Sequence, residues 1–451
     1  LEHLPYKQGA GGSNPSTPTQ IHLLFRLLHR QEPFCLFTVC RMKERDNGSG
    51  SQRLRQAFIE ATGNVLGGER LGRFLQAFDE EAPVSIRLNP LKTKGWEVVE
   101  GEAVPWCRGG YYLKQRPQFT FDPLLHAGAY YVQEASSMFL DEVLRQHMDK
   151  KVSLALDLCA APGGKSTVLR AALPADCILV SNEPNGKRAQ ILSENIQKWG
   201  SPRSYVTNLY PKDFRKSKLQ FDLILVDAPC SGEGMFRKDE SAVREWSLAN
   251  VEKCRRLQRE ILEDAWQCLR PSGLLIYSTC TFNIQENEEN VRWMMEELGA
   301  QVLPVVTLKE WRITGSLLEG FTEPVCRFIP GRTRGEGLFM ATVRKEGETS
   351  DLGSTKSEKG LQKLKFIYEP HQEEFFPSVE LPYPQALQYL RREALVLPAD
   401  TPKGIISVTF QGLPLGQMKN LGNRANNLYP KEWRIKSTHI PTEYETIFRY
   451  P

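Results

Sequence analysis

The sequence predicts an α/β protein whose centre is a Rossmann-like parallel sheet with helices on both faces. Three observations predict it. Short apolar runs occur at 153–159, 177–182, 204–207, 222–227 and 274–279. Helical stretches lie between or after them, near 164–173, 187–199, 250–270 and 284–298. A Gly-rich turn, Pro162-Gly163-Gly164, follows the first run directly. Strand–helix alternation at this spacing builds βαβ units. Ligands of such sheets sit beyond the carboxyl ends of the strands.

The composition sets bounds. With 451 residues the chain is long enough for two or three domains, and 40% hydrophobic with 25% charged residues is a soluble globular balance. No apolar run approaches the roughly 18 residues that cross a bilayer, so no membrane partner is expected. Ten scattered cysteines with no C-x-x-C pair argue against a zinc site and a disulfide framework, and for a reducing, cytoplasmic setting. A net charge of +4 permits a nucleic-acid partner without demanding one.

Residues 1–46 read as a leader foreign to a folded domain. The chain begins with Leu1, and 8–18 is low in complexity. Codons for Gly12-Ser13-Asn14-Pro15 can spell GGTTCGAATCC, the T-arm of a transfer-RNA gene, so the expectation is translation from upstream DNA with native synthesis starting near Met42, the alternative being a genuine but disordered tail. His22, Arg26, His29 and Arg30 interrupt the apolar stretch at 21–39 and exclude a signal peptide. Residues 47–150 read as a small α+β domain: one or two helices over 52–78, then a short strand at 84–90 closed by a turn. The alternating region spans 151–346 and ends on a closing strand at 337–344. A polar linker occupies 347–361. The last region, 362–451, is turn-rich, and 401–451 carries seven Lys/Arg against three Asp/Glu.

The loop after the first strand is built for close approach, because Gly163 and Gly164 lack a Cβ and the helix that follows points free N–H groups at an anion. Gly164-Lys165-Ser166 matches the tail of a phosphate loop, but Cys159 stands where that motif needs glycine and Pro162 closes the cradle. The dinucleotide G-x-G-x-x-G is absent. S-adenosyl-L-methionine fits better. It needs backbone contacts for its amino-acid end and a carboxylate for its ribose hydroxyls, and Glu183 ends the second strand.

Two cysteines each end a predicted buried strand. Cys230 lies in Asp227-Ala-Pro-Cys-Ser-Gly232 and Cys280 in Tyr277-Ser-Thr-Cys-Thr281. With Asp227 beside one of them, they point to nucleophilic chemistry.

Together with Asp157-Leu-Cys-Ala-Ala-Pro-Gly-Gly-Lys165, these motifs resemble three successive signatures of the Nol/Nop/Sun family of RNA (cytosine-5)-methyltransferases. Ser85-Ile-Arg-Leu-Asn-Pro-Leu-Lys92 and Tyr131-Val-Gln-Glu-Ala-Ser-Ser-Met138 resemble the N-terminal half of the bacterial RsmF-type ribosomal RNA enzymes, while Gly412-Leu-Pro-Leu-Gly416 and Asn426-Asn-Leu-Tyr-Pro-Lys431 resemble their C-terminal domain. The resemblance covers roughly residues 50–451. It implies a methyltransferase domain at 151–346, an RNA-recognition domain at 47–150 and a PUA-like RNA-binding domain at 362–451. It also implies that Cys159, Ala160, Ala161, Pro162, Gly163, Gly164, Lys165, Glu183, Arg188 and Asp227 hold S-adenosyl-L-methionine. The family often carries an adenine-contacting aspartate after the third strand; here Asn208 or Tyr210 stands in for it.

Cytosine C5 is a poor nucleophile, and a thiolate added to C6 activates it. Asp227, expected to be buried at a strand end, is placed to polarise the ring at N3 if its pKa is raised. A Pro-Cys nucleophile, as in DNA cytosine methyltransferases, nominates Cys230. The RNA family's Thr-Cys motif nominates Cys280, with Cys230 assisting release, and this is the assignment adopted. Lys165 is expected to cap nearby carboxylates and favour a thiolate. The implied substrate is 16S ribosomal RNA or the small subunit, with transfer RNA as an alternative. A non-catalytic ribosome-assembly role is disfavoured by the intact Cys230, Cys280 and Asp227. Candidate RNA contacts are Arg87, Lys92, Lys94, Arg237, Lys238, Lys419, Arg424, Lys431, Arg434 and Lys436, interleaved with Tyr429 and Trp433. A monomer is expected.

Overall fold

The computed structural model describes residues 54–149, 151–347, 360–370, 375–437 and 439–450. All of them belong to one compact unit. The leader and most of the linker lie outside the described residues.

Two helices open the described chain, α1 (Gln56–Leu66) and α2 (Gly68–Ala77). They break at Gly67, whose φ of 76° suits glycine. Their apolar face does not pack on the sheet that follows. Phe58 meets Trp246 edge-on at 5.3 Å, and Phe74 meets Phe282 at 4.9 Å. The pair therefore buttresses the segment just past Cys280. Next come β1 (Val84–Leu88), β2 (Glu97–Val98), β3 (Glu102–Ala103), β4 (Gly110–Leu113) and β5 (Tyr130–Val132). Four of them form an antiparallel sheet in the order β3-β4-β1-β5. Helix α3 (Pro123–His126) precedes β5, and α4 (Leu140–His147) leads into the centre.

The central sheet contains β6 (Leu154–Asp157), β7 (Ile178–Asn182), β8 (Ser204–Thr207), β9 (Phe221–Asp227), β10 (Leu269–Thr279), β11 (Ala300–Leu303), β12 (Cys326–Phe328), β13 (Leu338–Lys345) and β14 (Phe366–Tyr368). Its order is β11-β13-β10-β9-β6-β7-β8-β14, with β12 also on β13. The pairings among β6 to β10 are all parallel. These strands are buried almost continuously because helices cover both faces. The helices are α5 (Gly164–Ala172), α6 (Gly186–Trp199), α7 (Pro211–Ser217), α8 (Glu240–Glu245), α9 (Leu248–Cys268) and α10 (Glu288–Leu298). The strand after β6 in sequence lies on one side of it and β9 on the other. The order reverses there, and a crevice opens at the carboxyl ends.

The structure departs from expectation in three places. Strand β10 starts at Leu269, not 274, because Leu269 pairs with Phe221 and a register shift absorbs the turn before Leu274. Helix α10 starts at Glu288, not 284, since 283–287 form a hydrogen-bonded loop. Residues 366–368, read as part of the last domain, pair with β8 and cap the sheet edge.

The C-terminal region holds β15 (Ser378–Glu380), α11 (Tyr383–Leu390), β16 (Gly404–Phe410), β17 (Leu413–Asn420), β18 (Ala425–Asn427) and β19 (Phe448–Arg449). Its sheet runs β15-β16-β17-β18, and β19 pairs with β2. Ile86 and Tyr130 of the first sheet share one hydrophobic cluster with Leu387, Val408, Tyr429 and Phe448. Both terminal regions thus share a core. Among the described residues no helix is long and apolar enough to cross a membrane, no metal-binding cluster occurs, and eight cysteines are free.

Candidate active site

Four strand ends meet at the crevice. Strand β6 ends on Asp157, β7 leads into Glu183, β9 ends on Asp227 and β10 leads into Cys280. Adjacent parallel pairing brings them together, since Asp157 is opposite Ser181 and Ser278 opposite Asp227.

The loop from Cys159 to Gly164 joins β6 to α5. Gly163 caps α5 with φ of 115°, where a Cβ would stand 3.2 Å from Leu192 Cδ1. Side chains of α6 hold the loop from outside: Arg188 Nη2 donates to the Ala161 carbonyl at 2.8 Å, and Asn195 Nδ2 to that of Pro162 at 2.8 Å. Glu183 is 1% exposed. It accepts the Asn185 N–H at 2.9 Å and faces Arg188 Nη1 at 3.4 Å. Burial pushes its carboxyl above the usual range against the pull of Arg188 and these N–H groups. Asn208 is exposed beside it and donates to the Glu183 carbonyl at 2.6 Å, while Tyr210 caps α7.

S-adenosyl-L-methionine fits these residues. Asp157 is fully buried, yet only its Oδ2 has a partner, the Ser166 hydroxyl at 2.6 Å. Oδ1 is a buried acceptor without a hydrogen bond, which a cationic amino group answers. Burial, with Asp227 nearby, raises this carboxyl to about 7. The Cβ-free turn would accommodate the amino-acid end, and Glu183 would present an acceptor for ribose hydroxyls.

Asp227 is not the buried acid expected from the sequence. Its side chain is 31% exposed and paired with Lys165 Nζ at 2.9 Å. The Ser278 hydroxyl donates to its other oxygen at 2.7 Å. Strand pairing sets Ser278 there, and the sequence reading missed it. For Lys165, burial works against the charge but Asp227 and then Cys280 more than offset it, leaving its pKa raised. Cys230 and Cys280 are half-buried, with sulfurs 3.4 Å apart. The hydrogen bond to Cys280 and burial hold the Cys230 thiol well above its ordinary pKa. Cys159 is buried and likewise raised by burial, which suits a backbone-only role.

Behind the thiols lies a polar layer that the sequence reading did not find. Glu233, Gln258, Glu286 and Asn290 are all buried there. Glu233 follows the Pro-Cys motif closely, the one local signal that could have drawn attention to it.

Several expected RNA contacts are corrected. Arg87 is 2% exposed; its guanidinium lies 4.7 Å over the Trp199 ring and bonds Gln133 and Thr167. Lys92 Nζ donates to the carbonyls of Ala127 and Lys198 at 2.7 Å each, and burial lowers its pKa to about 8. Arg237 is committed to the Glu80 carbonyl and, with Lys238, to Glu336. Tyr429 belongs to the shared core, and half-buried Trp433 packs on it with Lys198 over its ring. Lys94, Lys419, Arg424, Lys431, Arg434 and Lys436 are exposed.

Comparison with known proteins places these features. Three family models match in order: the N-terminal domain of 16S rRNA methyltransferase RsmF over 54–135, 16S rRNA methyltransferase RsmB/F over 143–344, and the methyltransferase RsmF PUA domain over 376–435. Ribosomal RNA small subunit methyltransferase F of Pectobacterium atrosepticum is 33% identical, with 62% of this chain aligned to 60% of that protein. The Cronobacter sakazakii protein of the same name is 32% identical, with 67% aligned to 65%. The chain thus spans about three fifths of the Pectobacterium protein's length. A methyltransferase homolog from Pyrococcus horikoshii superposes with a TM-score of 0.54 at 27% identity, covering 64% of this chain and 94% of that one. NSun6 from the same organism, crystallised with SFG, gives 0.55 at 20% identity over 65% and 99%, a likeness of fold alone. Family and fold imply S-adenosyl-L-methionine as cofactor. With the Rossmann-like methyltransferase domain set between its N-terminal and PUA-like partners, the chain belongs to the RsmF branch of the RsmB/F 16S rRNA methyltransferase family.

Proposed function

We propose that the chain methylates C5 of cytosine in 16S ribosomal RNA through a covalent bond between Cys280 and C6 of the base. The observation that carries this reading is the pair of thiols 3.4 Å apart at adjoining strand ends, with the Lys165–Asp227 ion pair beside them. The 159–165 loop, Glu183 and Asp227 would hold S-adenosyl-L-methionine, which when bound would supply an electrophilic methyl group.

A stacked base cannot reach the crevice, so the cytosine must be flipped out or single-stranded. Cys280 acts as a thiolate, favoured by the Lys165 charge and by the Cys230 thiol donating to it. Its sulfur bonds C6, the C5–C6 double bond opens, and charge develops towards N3. The Lys165–Asp227 pair holds a proton that can pass to N3 and neutralise that charge. Carbon C5 then carries the electron density that direct attack lacks. Once Cys280 is bonded to carbon it no longer accepts from Cys230, and the cause that raises the Cys230 pKa is removed. After C5 has gained the methyl group, Cys230 gives its own proton to solvent and, as a thiolate, takes the C5 proton. The C6–S bond breaks to return the Cys280 thiolate, the C5–C6 double bond re-forms, and N3 gives its proton back to the Lys165–Asp227 pair.

Bisulfite sequencing of ribosomal and transfer RNA, from cells with and without the gene, tests the reading. Loss of a 5-methylcytosine from 16S rRNA is expected. Loss confined to transfer RNA would move the substrate, and an unchanged pattern in both would overturn the proposal.

A further inference from the structure

The two cysteine loops hold each other through exchanged carboxylates. Glu233, on the Cys230 loop, accepts the backbone N–H groups of Phe282 at 2.5 Å and Asn283 at 3.1 Å, just past Cys280. Glu286, on the Cys280 loop, accepts the N–H of Ser231, the residue after Cys230, at 3.0 Å. Gln258 from α9 completes the clasp, donating to Glu286 at 2.6 Å and to the Pro229 carbonyl at 3.0 Å. Asn283 Nδ2 bridges both acids, at 2.9 Å to Glu233 and 2.8 Å to Glu286. The Gly234 N–H donates to the Cys280 carbonyl at 2.6 Å, where a Cβ on residue 234 would collide with the same oxygen. Backbone is therefore gripped next to each thiol.

Stability alone does not explain this choice of residues. The two acids are 1% and 0% exposed, and burying two carboxylates near each other is costly. An ionised carboxylate accepts from several donors at once and offers none. Glu233 also takes the Trp246 indole N–H at 2.9 Å, so it is fixed to α8's flank as well as to the far loop. Such convergence over-determines position, which a pair of sulfurs acting in turn requires. A misplacement of about 1 Å can cost on the order of 100-fold in rate.

We propose that Glu233 and Glu286 are positioning residues that set the separation of Cys230 and Cys280. The inference rests on the reading that both thiols serve one base. Full-length wild-type, Glu233→Gln, Glu286→Gln and Gln258→Met chains are treated with diamide, which takes up the two thiol hydrogens as the disulfide forms. The Cys230–Cys280 linked peptide is quantified by mass spectrometry against the iodoacetamide alkylation rate of each thiol, so that reactivity is separated from distance. Linkage in the wild type is expected, with a loss of about tenfold or more in each variant. Methyl transfer should show a matching fall in kcat with KM for S-adenosyl-L-methionine unchanged. If a Glu→Gln chain does not fold, Gln258→Met, which removes donors and no charge, decides. A wild type that does not link, or variants that link as fast, would overturn the proposal. Linkage needs no RNA, so the expected loss in a chain that methylates no cytosine would sink the functional reading and leave the clasp standing.

Discussion

Lys165 Nζ lies 2.9 Å from Asp227 Oδ2, an ion pair that ties the first turn of α5 to the carboxyl end of β9. It joins the glycine-rich loop to the carboxylate proposed to deliver a proton, and on that proposal the two residues act as one unit. Lys165→Met and Asp227→Asn should each lower the single-turnover rate by about 10²–10⁴-fold. The double variant should lose little more than the worse single one, as groups acting as a unit do. Additive losses would show separate roles.

Cys280→Ala should abolish both methylation and any adduct with RNA. Cys230→Ala should bond its substrate and fail to release it, leaving protein–RNA species that survive denaturing electrophoresis. The opposite pattern would reverse the assignment of the two sulfurs, which stand 3.4 Å apart.

Glu183 is the buried carboxylate assigned to the ribose hydroxyls. Hydrogen bonds to a charged group contribute about 1.5–3 kcal/mol. Glu183→Gln should therefore raise the Kd for S-adenosyl-L-methionine by roughly 10- to 100-fold in titration calorimetry. An unchanged Kd would mean that the ribose is held elsewhere.

Asp157 supplies a pH test on the ligand-free chain. Burial holds its carboxyl at about 7 in the folded protein, against an ordinary value of 3.8. Between those values the folded chain keeps a proton that the unfolded chain has lost, so this stabilisation is lost as pH rises towards 7. The upper bound is on the order of 4 kcal/mol. Thermal midpoints should fall from about pH 4 to about pH 7, and Asp157→Asn, which keeps an acceptor for Ser166, should flatten that fall. Glu286, also held near 7 by burial, leaves a residual slope. An identical slope in the variant would place the effect elsewhere.

Arg87 and the exposed cations of the last region should behave oppositely. Arg87→Ala breaks buried hydrogen bonds and should destabilise the fold by about 2–4 kcal/mol without altering the salt dependence of RNA binding. Lys431→Ala or Arg434→Ala should leave the melting temperature alone. Each should reduce the slope of log K against log salt by about 0.7–0.9 where it meets a phosphate.

The parallel strands and the residues at their ends were legible in the chain because both signals are local. A strand buried on two faces is a continuous apolar run. The residue that ends it, whether Asp157, Asp227 or Cys280, is placed at the ligand-binding edge by that fact alone. The same logic misled for Arg87 and Lys92. Each reads as a surface cation until Trp199 and the carbonyl of Lys198, more than a hundred residues away, close over it. Strand β14 was equally illegible, since a three-residue run declares a partner only once β8 offers a free edge.

What the sequence determined by itself is the chemical inventory: two thiols, an acid and a lysine, each tied to the end of a predictable element. What tertiary structure decided is how these groups share protons and space. Pairing β9 between β6 and β10 sets Lys165 on Asp227, Ser278 on its other oxygen and one sulfur against the next. Glu233 and Glu286 became an exchange between loops by the same pairing. The reason is physical: hydrophobic periodicity is written along the chain, whereas a carboxylate's partners and burial come from residues that only folding brings within hydrogen-bonding range.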